Sequence, residues 1–444
     1  MEAEMLKRKI YRYLLDWKAT KNRECLLVKG ARQIGKTYVI RRFGETEYKS
    51  FIEINFVRDP ELKQIFDGSL DAPEIYKRLS AHLPESKLIE HNTLIFLDEI
   101  QKCAKARTAL KFLAEDNRFD VIASGSLLGL HYGQDADSEV GETESVPVGY
   151  ERQVVMYSLD FEEFLWAYGY QQETIDYLHS FFSSQTKVPN DINDKFESIL
   201  REFIVVGGMP EVVADFAENK NFGEVQRIQE KILAAYDDDI SNHVKGPDKA
   251  KVRACYDSLP KQLARENKKF KYSEVEKSAT ARKFGDSLTW LKDANFVHVC
   301  FNVFQPYLPL NANEKDNEFK VYFNDTGLLM ARYGTETKLA LLTGKLLGNA
   351  KGGIYENVIS EILVKKGYNL NYYKTDNSSL EIEFIIEKNA EVVPVEVKAG
   401  NRHTPSLNHF IEMFHPSKAY KFVEGNIGNT EGRTTLPHYM AMFL

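Results

Sequence analysis

Gly30-Ala31-Arg32-Gln33-Ile34-Gly35-Lys36-Thr37 is the stretch whose reading decides the fold of the N-terminal third. It fits G-x-x-x-x-G-K-[ST] in full, follows the short apolar run Cys25–Val28, and opens a helical pattern. The glycines let backbone N–H groups turn inward around phosphate oxygens, and the helix N-terminus adds partial positive charge there. All eight residues are therefore expected to cradle a nucleotide, ATP. The spacing sets Lys36 at the β- and γ-phosphates and Thr37 as a ligand of Mg²⁺.

The matching half lies downstream. Leu94-Ile95-Phe96-Leu97 is a continuous apolar run, as expected for a strand buried on both faces. It delivers Asp98 and Glu99 at its C-terminal end, where ligands sit in open α/β sheets. Asp98 is expected to hold Mg²⁺, directly or through water, and Glu99 to orient and polarise the attacking water. A third strand, Asp120–Ala123, runs into Ser124-Gly125-Ser126, where Ser124 or Ser126 can sense a γ-phosphate. Arg118 and Arg152 are candidates for an arginine that stabilises transferred charge, although such a residue is more often merely a surface arginine. With the alternating strand Phe51–Phe56, this block alternates strand and helix, which implies a parallel sheet with helices on both faces.

The rest of the chain follows a different plan. From Phe161 to Asn242 the pattern is helical, broken at Gly207-Gly208-Met209-Pro210. From Asp248 to Tyr333 short helices lead to the alternating segment Phe296–Val303. From Ile354 the order is helix, strands (LNYYK, EIEFII, VVPVEVK), then the helix LNHFIEMF. Gln134–Val148 and Ser183–Asn193 read as loops. The expected organisation is multidomain α/β: a P-loop sheet over 1–160, helices over 161–247, a third block over 248–345, and a small α/β domain over 350–444.

Composition narrows the class. The 444 residues are 43% hydrophobic and 28% charged, in the range of a globular protein, and no apolar run reaches membrane-spanning length. The N-terminus lacks the features of a signal peptide, so a cytoplasmic protein without a membrane partner is expected. Four scattered cysteines form no C-x-x-C pair, which argues against zinc and a disulfide framework. The net charge of −7 excludes nucleic-acid binding by bulk charge. Locally, however, residues 261–292 hold nine Lys or Arg against four Asp or Glu.

Over nearly its whole length the chain resembles the prokaryotic AAA-type ATPases that carry a C-terminal domain of unknown function, number 4143. The resemblance rests on GARQIGKT, FLDEIQK, ASGSLLG, LDFEEFLWA, VGGMPEVV, YDDDI at Tyr236–Ile240, VYFNDTGLL at Val321–Leu329, and YENVISEIL followed by EVKAG. The chain departs at Gly149, which is followed by Tyr150 where such proteins often carry arginine. The resemblance implies a winged-helix-like middle and a C-terminal domain similar to the PD-(D/E)xK nuclease fold.

A nuclease of that kind needs carboxylates on one or two divalent metals, Mg²⁺ or Mn²⁺, and a lysine beside the attacking water. The matching positions are Glu356, Glu383 and Glu396 as metal ligands, with Glu396 and Lys398 as the catalytic pair. Glu383 stands where aspartate is usual. Glu396 and Lys398 share one side of a strand, although E-V-K also reads as a half-solvated edge strand. In the winged-helix region, Thr280–Leu291 would be the recognition helix, with Arg282, Lys283 and Lys292 near DNA phosphates. A solvated helical face reads the same way.

The expected function is an Mg²⁺-dependent ATPase coupled to DNA binding or processing. The alternative is an ATP-switched regulatory or scaffolding protein whose C-terminal domain binds a partner without cleavage. Whether the chain forms a homo-oligomer is left open.

Overall fold

The structure is a computed structural model and describes residues 6–20, 24–127, 130, 149–244, 246–376, 380–400, 405–430 and 432–444. The acidic stretch Gln134–Val148 lies outside the described residues. The chain divides into two compact units, residues 1–158 and 159–444.

The first unit is built on five parallel strands: β1 (Cys25–Gly30), β2 (Ser50–Asn55), β3 (Thr93–Asp98), β4 (Asp120–Ser126) and β5 (Glu151–Val155). Their order across the sheet is β2-β3-β4-β1-β5. Every residue of β3 and β4 is buried, as their unbroken apolar sequences require. Leu27, Ile52, Ile54, Ile95, Leu97, Val121 and Ala123 face one side. There they pack with helices α3 (Ala72–His82) and α4 (Ala104–Asp116). Helix α2 (Lys36–Glu47) covers the other side, close enough at Gly44 that a Cβ would sit 2.2 Å from the Phe51 ring. Strand β5 is not legible in the sequence. Its charged sequence, Glu-Arg-Gln-Val-Val, suits the half-covered edge it occupies beside β1.

The second unit joins helices to a mixed eight-stranded sheet. Its strands are β6 (Val297–Val303), β7 (Glu314–Phe323), β8 (Asn371–Lys374), β9 (Glu381–Lys388), β10 (Glu391–Val397), β11 (Tyr420–Val423), β12 (Gly428–Thr430) and β13 (Arg433–Pro437). The order is β12-β13-β11-β10-β9-β8-β6-β7. The hairpin β6–β7 therefore extends the C-terminal strands through the parallel pair β6–β8, which covers an edge that would otherwise stay open. Strand β10 lies inside the sheet between β9 and β11, so the edge-strand reading of E-V-K does not hold. Helices also claim most of the expected loop Ser183–Asn193. One helix runs to Ser184 and ends at left-handed Gln185, and the next starts at Asn190, directly after Pro189.

The sequence blocks that carry the resemblance in this unit meet in its core. Buried Asp325 accepts from the Gly208 N–H at 2.8 Å and caps the helix Thr326–Tyr333. Glu361, fully buried, accepts from Thr326 N at 2.8 Å and Thr326 Oγ1 at 2.6 Å. Asn357 accepts from Phe323 N at 2.8 Å. Asp160 and Glu163 form a capping box on the helix Phe161–Ala167. These polar residues satisfy buried backbone groups where chain segments far apart in sequence cross.

Candidate functional site

The C-terminal ends of β1, β2, β3 and β4 share one edge of the parallel sheet, and the nucleotide motifs lie there. After β1 the loop turns at Gln33 (φ 62°) and Gly35 (φ 86°), and α2 begins at Lys36. The left-handed backbone at Gly35 is one that glycine adopts without strain. Gly30 is needed for a different reason: a Cβ there would lie 2.4 Å from the Met156 carbonyl oxygen. The loop is held from behind by Arg8, whose guanidinium donates to Ile34 O at 3.0 Å and Tyr157 O at 2.7 Å. Sequence reading assigned Arg8 no part, because only the fold brings the N-terminal segment to this loop.

Lys36 is buried and folded back, with Nζ 3.1 Å from Gly30 O and 2.8 Å from Ala31 O. These carbonyls occupy the ammonium that phosphate oxygens would otherwise take. Asp98 is the hub of the site and is 2% exposed. Its Oδ2 accepts from Thr37 Oγ1 at 3.0 Å and from Asn55 Nδ2 at 2.9 Å. Its Oδ1 accepts from the Glu99 N–H at 3.1 Å and from Ser124 Oγ. The structure thus brings Lys36, Thr37, Asp98, Glu99 and Ser124 together. Asn55 is an addition: it stands opposite Asp98 in the β2–β3 register, a pairing no spacing in the sequence reveals. The hydroxyl and carboxylate of Thr37 and Asp98 are hard oxygen ligands that fit Mg²⁺.

Neither arginine candidate reaches this edge within its own chain. Arg152 pairs in register with Leu26, four residues before Gly30, or roughly 13 Å along the strand. It is bound to Glu24 at 3.0 Å. Arg118 precedes β4, at the opposite end of the sheet, and pairs with Asp116 at 2.9 Å.

Family profiles match the chain in three places. An AAA domain profile matches residues 22–165. An AAA domain is present. The domain of unknown function DUF8612 matches residues 197–339, and the domain of unknown function DUF4143 matches residues 351–437. No curated protein matches the chain. Among solved structures, the Walker-type ATPase of Pyrococcus abyssi is 12% identical, with a TM-score of 0.41, covering 75% of this chain and 97% of that one. AMPPCP-bound DnaA from Aquifex aeolicus is 12% identical, with a TM-score of 0.28, covering 66% and 89%. A STAND protein from Pyrococcus horikoshii with a tetratricopeptide-repeat sensor is 13% identical, with a TM-score of 0.25, covering 82% and 46%.

In the DUF4143 domain the expected metal ligands are divided. Lys398 Nζ donates to Glu383 Oε1 at 2.6 Å and stands 2.8 Å from Glu396 Oε1. The second contact is not a hydrogen bond, and both Glu396 oxygens are buried without a hydrogen bond among the described residues. Glu356 does not join them. It is buried, not solvated, and binds Lys268 at 2.9 Å and the Tyr322 hydroxyl at 3.1 Å. Burial opposes its charge, but Lys268 and Lys320 outweigh burial and hold its carboxyl below the ordinary value. Among the described residues no three His, Cys, Asp or Glu side chains converge as metal ligands. The lysine-paired carboxylates, as arranged, do not fit a divalent metal.

Burial, then the facing Glu383, pushes the Glu396 carboxyl up to about 8. A raised acid stabilises the fold below its ordinary value of 4.5, and that contribution is lost as pH rises through about 8. Glu396→Gln should therefore match wild type near about pH 5 and exceed it in stability near about pH 9. Urea unfolding at the two pH values reads this directly. Equal differences at both would mean that Glu396 is ionised throughout.

Proposed function

We propose that the chain is an Mg²⁺-dependent ATPase with its site at Gly30–Thr37, Asp98 and Glu99. The observation that carries this reading is the 3.0 Å bond between Thr37 and Asp98. It joins two motifs 61 residues apart at the point where phosphate and metal chemistry require them together. Bound ATP·Mg²⁺ supplies the electrophilic phosphorus and the metal's charge. With them bound, Lys36 would place its ammonium on the phosphate oxygens, Thr37 and Asp98 would hold the metal, and Glu99 would take the proton of the attacking water. Ser124, on the other oxygen of Asp98, couples β4 to the state of that carboxylate.

Lys36→Ala removes the one buried ammonium of the cradle. It should abolish the ATP-dependent rise in melting temperature expected of wild type by mass action, and hydrolysis with it. An undiminished thermal shift would remove Lys36 from nucleotide binding.

A second reading concerns nucleic acid, and one observation favours it. Helix Ala281–Asp293 leaves Arg282, Lys283 and Lys292 exposed and outside any ion pair among the described residues. By contrast, Lys261 and Arg265 are taken by Glu274, Lys268 by Glu356 and Lys269 by Glu318. The basic surface is thus smaller than the sequence suggests and centred on this helix. DNA affinity should fall with salt, and replacing the three residues by Ala should flatten that slope. An unchanged slope would return the helix to a solvated face. The lysine pairing of Glu356, Glu383 and Glu396 favours a C-terminal domain that binds without cleaving, so the same assay with Mn²⁺ should leave plasmid DNA intact.

A further inference from the structure

Glu99 leaves β3 in the left-handed region (φ 55°, ψ 45°), where glutamate is uncommon. The chain then makes one tight turn, Ile100–Lys102, closed by Lys102 N to Glu99 O at 2.9 Å. That turn brings Gln101 back over the residue before it. Gln101 Nε2 donates to Glu99 Oε2 at 2.5 Å. The carboxamide is buried, and its Oε1 has no hydrogen-bond partner among the described residues. Beside it lies Gly125 in β4, where a Cβ would stand 2.6 Å from that oxygen. The carboxamide is wedged between the Glu99 carboxylate and a strand that is glycine at the point of contact.

A buried carbonyl without a partner is costly, so this placement is poor as mere packing. What it achieves is a charge-assisted bond that fixes the Glu99 rotamer, engages Oε2 and leaves Oε1 for the attacking water. We infer that Gln101 is the positioning residue of Glu99, and that Gly125 is glycine in order to house its carboxamide. This rests on the ATPase reading above and adds to it which oxygen of Glu99 meets the water and what holds it there.

The test is steady-state ATP hydrolysis by the full-length chain, with binding of a fluorescent ATP analogue measured separately. Gln101→Ala should lower kcat on the order of 10- to 100-fold, as a misplaced catalytic group does, with nucleotide affinity changed less than about threefold. Gly125→Ala should lower kcat similarly, and the double variant should be no slower than the worse single one, because both act through the same carboxamide. Gln101→Glu gives a readout that packing alone would not move. A second carboxylate facing Glu99 raises the pKa of the base, so the acidic limb of the kcat–pH profile should shift upward by about one unit or more. A Gln101→Ala kcat within about twofold of wild type, beside a slowed Glu99→Gln, would overturn the role of Gln101 alone. A kcat raised above wild type would overturn it too, since Gln101 would then be restraining Glu99. Glu99→Gln at the wild-type rate would overturn this inference together with the role of Glu99, and no hydrolysis by wild type would overturn the ATPase reading as well.

Discussion

Glu99→Gln is expected to bind ATP as wild type does and to hydrolyse it on the order of 10²–10⁴ times more slowly. The substitution keeps the shape of the side chain and a partner for Gln101 while removing the carboxylate that accepts a proton from water. Binding should persist because the groups that meet phosphate and metal are elsewhere. Lys36 folds against the cradle, and Thr37 and Asp98 are bonded to each other without help from the Glu99 side chain. A single-turnover measurement with saturating ATP separates the two effects, since kcat falls while the dissociation constant stays. Hydrolysis at the wild-type rate would remove Glu99 from the mechanism.

The second large effect concerns the fold. Gly208→Ala should destabilise the 159–444 unit by about 3 kcal/mol or more, because the new methyl group meets backbone and not a flexible side chain. Its Cβ would stand 2.0 Å from the Leu159 carbonyl oxygen. The two strands of chain are locked there: Leu159 N donates to Gly208 O at 2.7 Å, and Gly208 N donates to Asp325 at 2.8 Å. Relief would have to break one of these buried bonds. Against a total stability of roughly 5–15 kcal/mol, the melting temperature should fall on the order of 10 °C. Gly285→Ala is the contrast. That glycine lies within the helix Ala281–Asp293 with nothing within 4 Å of its Cβ position, so alanine should stabilise by roughly 0.5–1 kcal/mol. Melting of Gly208→Ala within about 2 °C of wild type would show that the crossing is more yielding than its geometry implies.

Much of the nucleotide site is legible because its chemistry is local. The cradle is one continuous octapeptide, and the apolar run before Asp98 can only be a strand buried on both faces, so it delivers its carboxylates at the sheet's C-terminal edge. The roles that escape such reading are relational. Nothing in the octapeptide points to Arg8, which reaches Ile34 O only because the helix Lys9–Ala19 that follows it packs against α2. Gln101 sits in the legible motif FLDEIQK, yet its meaning depends on a left-handed turn and on Gly125, 24 residues away.

The C-terminal domain shows the same division with a different result. Alternation along EIEFII and VPVEVK suffices to place Glu383 and Glu396 on strands, with Lys398 directly after the end of β10 and beside Glu396. Whether those groups hold a metal depends on who else arrives. Lys398 enters between the two carboxylates, and Lys268, 88 residues before Glu356, is carried to it by the fold. Sequence by itself determined the elements and the local phosphate chemistry, because propensity, periodicity and motif spacing act over a few residues. Tertiary structure alone decided which charges neutralise which, because an ion pair depends on distance in space, and only packing sets that distance.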